Sequence, residues 1–248
     1  MNWSFQLYSA RKFPPWADVF SLVAAAGYTQ VEGFGGMYTD PVVLRAELDS
    51  HGLTMPTGHF SLDMLENELD RALGIARTLD MKLLICPSLA ADLWPVDAAG
   101  WRSFGERLAR LGARVKAAGH DFGWHNHAFE FAPLGDGSTA MDHILSAAPD
   151  IGWEIDVAWV IRGGGDPRSW IDRHGQRLVA VHVKDIAGPG TEQIEDGWAD
   201  VGHGTVDWRG LMAALRARSA ARYYVMEHDN PDDVGRFARR SIEAARTL

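Results

Sequence analysis

Segments that read as strands and segments that read as helices alternate eight times along the 248 residues, about one pair every 31 residues. Few folds satisfy that rhythm. Ser4–Tyr8 reads as the first strand, and a helix over Trp16–Ala26 stops at Gly27. Thr29–Phe34 and a helix over Pro41–Ser50 follow, with Gly52 as the stop signal. Leu53–Phe60 is the third strand, and Ser61 caps a single expected helix through Leu79, whose Leu62, Leu65, Leu69, Leu73 and Ala76 recur at helical spacing. Lys82–Cys86, a helix over Asp97–Ala118, and an apolar, aromatic strand over Gly123–Phe131 come next. Thr139–Ala147 reads as helix, Ile151–Val157 as the sixth strand, and Gly163–Pro167 as a turn into a short helix. Leu178–Val183, a long glycine-containing loop, a helix over Val206–Arg218, the strand Arg222–Met226 and a last helix from Pro231 complete the series.

Eight strand–helix units without a linker predict an α/β chain closed into a (β/α)₈ TIM barrel, one domain over residues 1–248. A doubly wound sheet is the competing arrangement. Gly33-Phe34-Gly35-Gly36 lacks the following glycine that a dinucleotide site requires, which disfavours it.

Composition enters where partners are concerned. Hydrophobic residues make up 46% and charged residues 23%, the balance of a globular chain with a large core. A net charge of -9 with scattered Lys and Arg disfavours nucleic acid and anionic membranes. Cys86 stands alone and makes no internal disulfide, the opening residues lack a signal-peptide pattern, and no run of eighteen apolar residues occurs. A cytoplasmic location is the expectation, with a homo-oligomer or partner subunit left open.

In a barrel of this kind, polar residues at the carboxyl ends of the strands make the site. Strand five offers His125, Asn126, His127 and Glu130; strand six Glu154 and Asp156; strand seven His182, Lys184 and Asp185; strand eight Glu227, His228 and Asp229; strand three His59. One ordinary reading is a set of hydrogen-bonded core residues and ion pairs. Four such occurrences at the same end of consecutive strands favour a mixed oxygen and nitrogen cage, suited to Mn²⁺, Co²⁺, Mg²⁺ or Zn²⁺. Trp3, Trp94, Trp124, Trp159 and Trp198 are candidate pocket walls, since flat rings suit the C–H faces of sugars. No glycine-rich or basic phosphate cradle stands near strands seven and eight, so the expected substrate carries no phosphate.

The motifs Trp124-His-Asn-His-Ala-Phe-Glu-Phe131, Asp156-Val-Ala-Trp159 with Gly165-Asp-Pro167, His182-Val-Lys-Asp185, Val201-Gly-His-Gly-Thr-Val-Asp-Trp208 and Met226-Glu-His-Asp229 resemble the sugar phosphate isomerase/epimerase family of xylose-isomerase-like TIM barrels. The resemblance covers nearly the whole chain, Gly27–Phe34 and Gly58–Ser61 included. It implies a divalent metal, Mn²⁺ foremost, held by Glu130, Asp156, His182 and Glu227. The expected carbohydrate-binding residues are His59, Trp94, Asn126, Lys184 and His203, and the expected catalytic residues His125, His127, Glu130 and Glu227.

Glu130 and His125 compete for the strand-five ligand position. Glu130 makes a three-carboxylate cage favouring a hard ion, and it is the expected ligand; His125 gives a cage closer to zinc's preference. The implied activity is isomerisation or epimerisation of a free sugar, keto-sugar or cyclitol through a metal-stabilised enediolate. A lyase or dehydratase acting on an inosose or 3-keto-glycoside is the alternative, and a non-catalytic sugar-binding subunit the remote one.

Overall fold

The computed structural model describes residues 3–191 and 194–248. In chain order its strands are β1 (Trp3–Gln6), β2 (Gln30–Gly33), β3 (Thr54–His59), β4 (Leu83–Cys86), β5 (Asp121–His125), β6 (Gly152–Asp156), β7 (Leu178–Val183), β8 (Asp185–Ile186), β9 (Trp198–Ala199) and β10 (Tyr223–Met226). Eight of these close into a parallel barrel in the order β1-β2-β3-β4-β5-β6-β7-β10, while β8 and β9 form a small antiparallel pair above it. The expected (β/α)₈ barrel is therefore the observed one.

The helices are α1 (Trp16–Ala26), α2 (Pro41–Ser50), α3 (Leu62–Asn67), α4 (Leu69–Thr78), α5 (Ala98–Ala117), α6 (Ala140–Ala147), α7 (Val157–Arg162), α8 (Pro167–His174), α9 (Trp208–Arg218) and α10 (Val234–Ala245). Side-chain caps start most of them, as at Asp40, Ser61, Asp97, Thr139, Asp166, Asp207 and Asp233. The single helix expected over 61–79 is two, because Glu68 leaves helical dihedrals (φ -130°, ψ 36°). Its carbonyl then accepts from Arg71 and Ala72, which starts α4. None of these helices is long and apolar enough to cross a membrane.

Register fixes which side chains enter the barrel. Along one row the pairings run Gln6, Glu32, Thr57, Leu83; along others His59, Ile85, Gly123, Gly152 and His125, Glu154, Ala180, Tyr223; and Asp156 pairs His182, which pairs Val225. Side chains alternate along a strand, so these residues share one face. The opposite face carries Phe5, Leu84, Phe122, Trp124, Trp153, Ile155 and Val181, which join the large apolar cluster beneath the helices. Inside the barrel the apolar cluster is small, Leu83, Ile85 and Ala180 with Val179 and Tyr223 against it. Above it the interior is polar.

Candidate metal centre and substrate cleft

Two short segments aim the strand-five and strand-six side chains. Strand β5 ends at His125, earlier than the sequence suggests, because Asn126 takes over the role of strand backbone. Its Oδ1 accepts from the Asp156 N–H (3.0 Å) and from Trp153 Nε1 (2.9 Å), and its Nδ2 donates to the Asp156 carbonyl (3.1 Å). Asn126 is thus a buried brace between β5 and β6. Beyond it the chain turns through Phe129–Phe131, and Asp156 itself caps α7, accepting from the Trp159 N–H at 2.9 Å.

That turn decides the place of Glu130. Its carboxylate accepts from the His127 N–H (2.8 Å) and Trp124 Nε1 (3.2 Å), and burial pushes its carboxyl well above the usual range. The expectation that Glu130 reaches back to the strand-end cage is not how the structure arranges it: the carboxylate is turned toward the outer-face indole and fastens the loop. His125 instead is the strand-five side chain that joins the interior group.

That group is a layer of carboxylates and imidazoles. His59 Nε2 lies 2.7 Å from Glu154 Oε2 and 3.2 Å from Glu32 Oε1. His182 Nε2 lies 2.7 Å from Glu32 Oε1 and 3.2 Å from Glu154 Oε2, while its Nδ1 faces Glu227 Oε2 at 2.9 Å and Asp156 Oδ2 at 3.9 Å. His125 Nδ1 meets Glu154 Oε2 at 3.0 Å, and Gln6 Nε2 donates to Glu32 Oε1 at 2.7 Å. Lys184, fully buried, sets its Nζ 2.6 Å from Asp229, 3.1 Å from Glu227 and 3.7 Å from Asp156, with the Trp198 ring 4.2 Å away.

Burial opposes charge on every member, so the charged pairs settle the protonation states. Burial would depress His59, yet Glu32 and Glu154 hold it up to about 9; His182 is raised well above its ordinary value by Glu154, Glu227 and Glu32 in the same way. His125 and His127 go the other direction. Burial and His182 keep His125 well below 6.5, and burial with Lys184 lowers His127 to about 4, so both rings are neutral at pH 7. Burial and the neighbouring Glu227 raise Asp156 against the pull of Lys184.

Two overlapping sets could hold a metal: His59, His125, Glu154 and His182, and Asp156, His182 and Glu227, each with donor atoms within 4.8 Å of one another. The donor set fits a divalent ion. Glu154 Oε1, Asp156 Oδ2 and Glu32 Oε2 are buried carboxylate oxygens that accept no hydrogen bond from the described residues, a costly state that a cation relieves. Sequence reasoning overlooked Glu32 and left Glu154 out of the cage. Both could have been found from parity, since each sits one residue from an outward-facing apolar strand residue, Val31 or Ile155.

A cleft of about 770 Å³ opens over this layer, with His59, His125, His127, Trp159, Glu227 and Asp229 at its polar end. His127 has a buried Nδ1 without a hydrogen-bond partner among the described residues. Trp94, expected to touch substrate, stacks on Phe129 (4.0 Å, 21°), donates to the Leu89 carbonyl at 2.9 Å, and is not among the residues that line the cleft. His203 is exposed and does not line the cleft, because its loop wraps Asp185, which accepts from the Gly202, Gly204 and Val206 N–H groups. Of the other tryptophans, Trp159 lines the cleft and Trp124 is buried in the outer core.

Among known proteins, the rhizopine catabolism protein MocC of Rhizobium meliloti is 24% identical over 194 residues, which are 70% of this chain and 58% of MocC. The chain thus spans little more than half of that relative. A sugar phosphate isomerase/epimerase from Parabacteroides distasonis superposes with a TM-score of 0.81 at 20% identity, over 98% of this chain and 94% of that one. The IOLI protein with a binding zinc atom superposes at 0.77 and 14% identity, over 100% and 96%. The two superpositions are likenesses of fold. Residues 20–248 match the model of the xylose isomerase-like TIM barrel family, and the chain belongs to that family.

Proposed function

We propose that this chain is a metal-dependent isomerase or epimerase acting on a free sugar, keto-sugar or cyclitol by moving a proton at the carbon next to a carbonyl. The observation that carries the reading is the buried layer of carboxylates with unpartnered oxygens, joined through His59, His125 and Glu227 to the lining of the cleft. Asp156, His182 and Glu227 would hold the ion, with Glu154 in the adjoining group that meets the other ring nitrogen of His182, and Glu130 takes no part. When bound, the ion supplies positive charge where negative charge develops on the carbonyl oxygen. The zinc of the IOLI protein and the Mn²⁺ expected from the sequence are both compatible with such a donor set.

The chain's own groups handle the proton. His127 lines the cleft, is neutral, and has an Nδ1 without a hydrogen-bond partner among the described residues, the state a general base needs. Strands β5 and β10 lie three apart around an eight-stranded ring, so His125 and His127 approach from nearly the opposite side to Glu227 and Asp229. A group on each side of a planar intermediate is what epimerisation requires. Lys184, held cationic by Asp229, Glu227 and Asp156, restrains those carboxylates and helps hold the Glu227 carboxyl well below its usual range, while burial still raises Asp156 and Asp229.

Elimination from an inosose or a 3-keto-glycoside is the second reading. It uses the same first proton transfer, and the apolar extension of the cleft favours it, because a departing group needs somewhere to sit.

The test is turnover of a panel of ketoses, inososes and 3-keto-glycosides in deuterated water by metal-loaded protein. Deuterium should enter at the carbon beside the carbonyl. A changed stereocentre at constant mass identifies an epimerase, and a dehydrated or aglycone-free product a lyase. Asp156→Ala and Glu227→Ala should each lose most bound metal and activity while keeping the fold. Turnover with neither exchange nor metal dependence would sink the reading.

A further inference from the structure

The cleft is larger and less polar than its sugar-binding end requires. Besides the imidazoles and carboxylates, its lining includes an apolar set: Tyr8 and Phe34 from the segments after β1 and β2, Leu62 from α3, and Leu89 and Leu93 from the segment after β4. At about 770 Å³ the whole cavity lies in the upper part of the roughly 300–1,000 Å³ range that houses drug-sized ligands. A single sugar ring held by the polar end leaves this arm unfilled.

The arm is preformed. Tyr8 and Phe34 meet edge to face at 5.4 Å, and the Arg11 guanidinium lies 3.9 Å over the Tyr8 ring. Leu62 opens α3 behind the Ser61 cap, and the Leu89 carbonyl is held by Trp94 Nε1. Leu62 and Leu89 are packed from behind, yet Tyr8 is 39% exposed and Leu93 58% exposed. A fixed apolar wall left open to a cavity marks a binding surface.

Charge narrows the ligand. Arg107 is also among the lining residues, and its guanidinium is already engaged by both oxygens of Glu66. Asp63, Glu66, Glu227 and Asp229 line the same cleft, so a phosphate or other anion meets repulsion rather than a partner.

We propose that the cleft takes its substrate in two parts: a polyol or keto-sugar ring against the carboxylates and imidazoles, and an uncharged apolar substituent, aromatic before alkyl, in the Tyr8–Phe34–Leu62–Leu89–Leu93 arm. The ligand class is a glycoside of such a ring, a narrower class than the free sugars and cyclitols of the proposed function, and not a sugar phosphate. This assignment rests on the reading that a sugar ring occupies the polar end.

Calorimetric titration of the metal-loaded protein with phenyl β-glucoside, methyl β-glucoside and phenol tests it. Phenyl glucoside should bind about tenfold or more tightly than methyl glucoside, and phenol alone more weakly than phenyl glucoside. In Leu93→Asn and Tyr8→Ser the ratio of phenyl to methyl affinity should fall toward one; both side chains are substantially exposed, and a thermal melt checks the fold. Equal affinities for the two glucosides overturn the proposal, as does phenol binding as well as phenyl glucoside, or no binding of phenyl glucoside at all. Equal affinities together with intact deuterium exchange on a keto-sugar remove the arm and leave the chemistry. A phenyl preference that persists without any exchange keeps the arm and removes the chemistry.

Discussion

His59 and His182 are held in the charged form by carboxylates in a place where burial alone would make them neutral. A histidine whose pKa rises on folding contributes stability in full below its ordinary value of 6.5, and that contribution fades as the pH climbs through the folded value of about 9. For His59 the rise corresponds to about 3 kcal/mol. Chelator-treated protein should therefore unfold at lower denaturant concentration at pH 9 than at pH 6.5. Loading a divalent ion should weaken or reverse the trend, because ligands must shed their protons to bind metal and so bind it better as pH rises. Urea midpoints at the two pH values, with and without ion, read this directly. A flat profile in the chelated protein would show that His59 and His182 are not charged in the folded state.

At the scale of elements, the loop after β7 depends on one glycine. Asp185 accepts N–H groups from Ile186, Gly202, Gly204 and Val206, which seats the β8–β9 pair and the start of α9. A Cβ on Gly204 would lie 2.2 Å from Asp185 Oδ1 and 2.3 Å from the Ile186 carbonyl, with backbone on one side and a fastened carboxylate on the other. Gly204→Ala should cost about 1–3 kcal/mol, the usual penalty of overpacking, and lower the melting temperature accordingly. A variant as stable as the parent would mean that this loop shifts freely. Such features are hard to read in advance. The alternation of strands and helices was legible because burial imposes periodicity, and so were His125, Asp156, His182 and Glu227, polar residues at apolar strand ends. Glu130 was misplaced because its destination depends on Asn126 ending β5 and on a turn that points the carboxylate at Trp124, contacts without a local signature. Helix α7 was missed because it follows Asp156 directly, with no loop between strand and cap.

Across the whole molecule, two layers divide the work. The face between strands and helices is apolar and holds the barrel closed, whereas the upper interior is polar and, by itself, electrostatically costly. The closing seam between β1 and β10 shows the division well. Phe5 on β1 packs against Tyr28 and Phe237, each with ring centroids 5.4 Å away, and Phe237 on α10 is fully buried. Phe237 also touches the ring of His228 at 5.5 Å, yet it does not line the cleft. Removing it as Phe237→Ala should cost about 3–5 kcal/mol, since a buried ring leaves a cavity that the barrel cannot collapse into. In a chain of this length that corresponds to a fall in melting temperature of roughly 10 °C. Metal content and turnover measured well below the transition should change little, because the interior layer is positioned by strand register rather than by this ring. Differential scanning calorimetry beside metal analysis separates the two effects. Loss of bound metal at a temperature where the variant is still folded would show that the polar layer depends on the outer packing after all, and that closure of the barrel at this seam is part of the site.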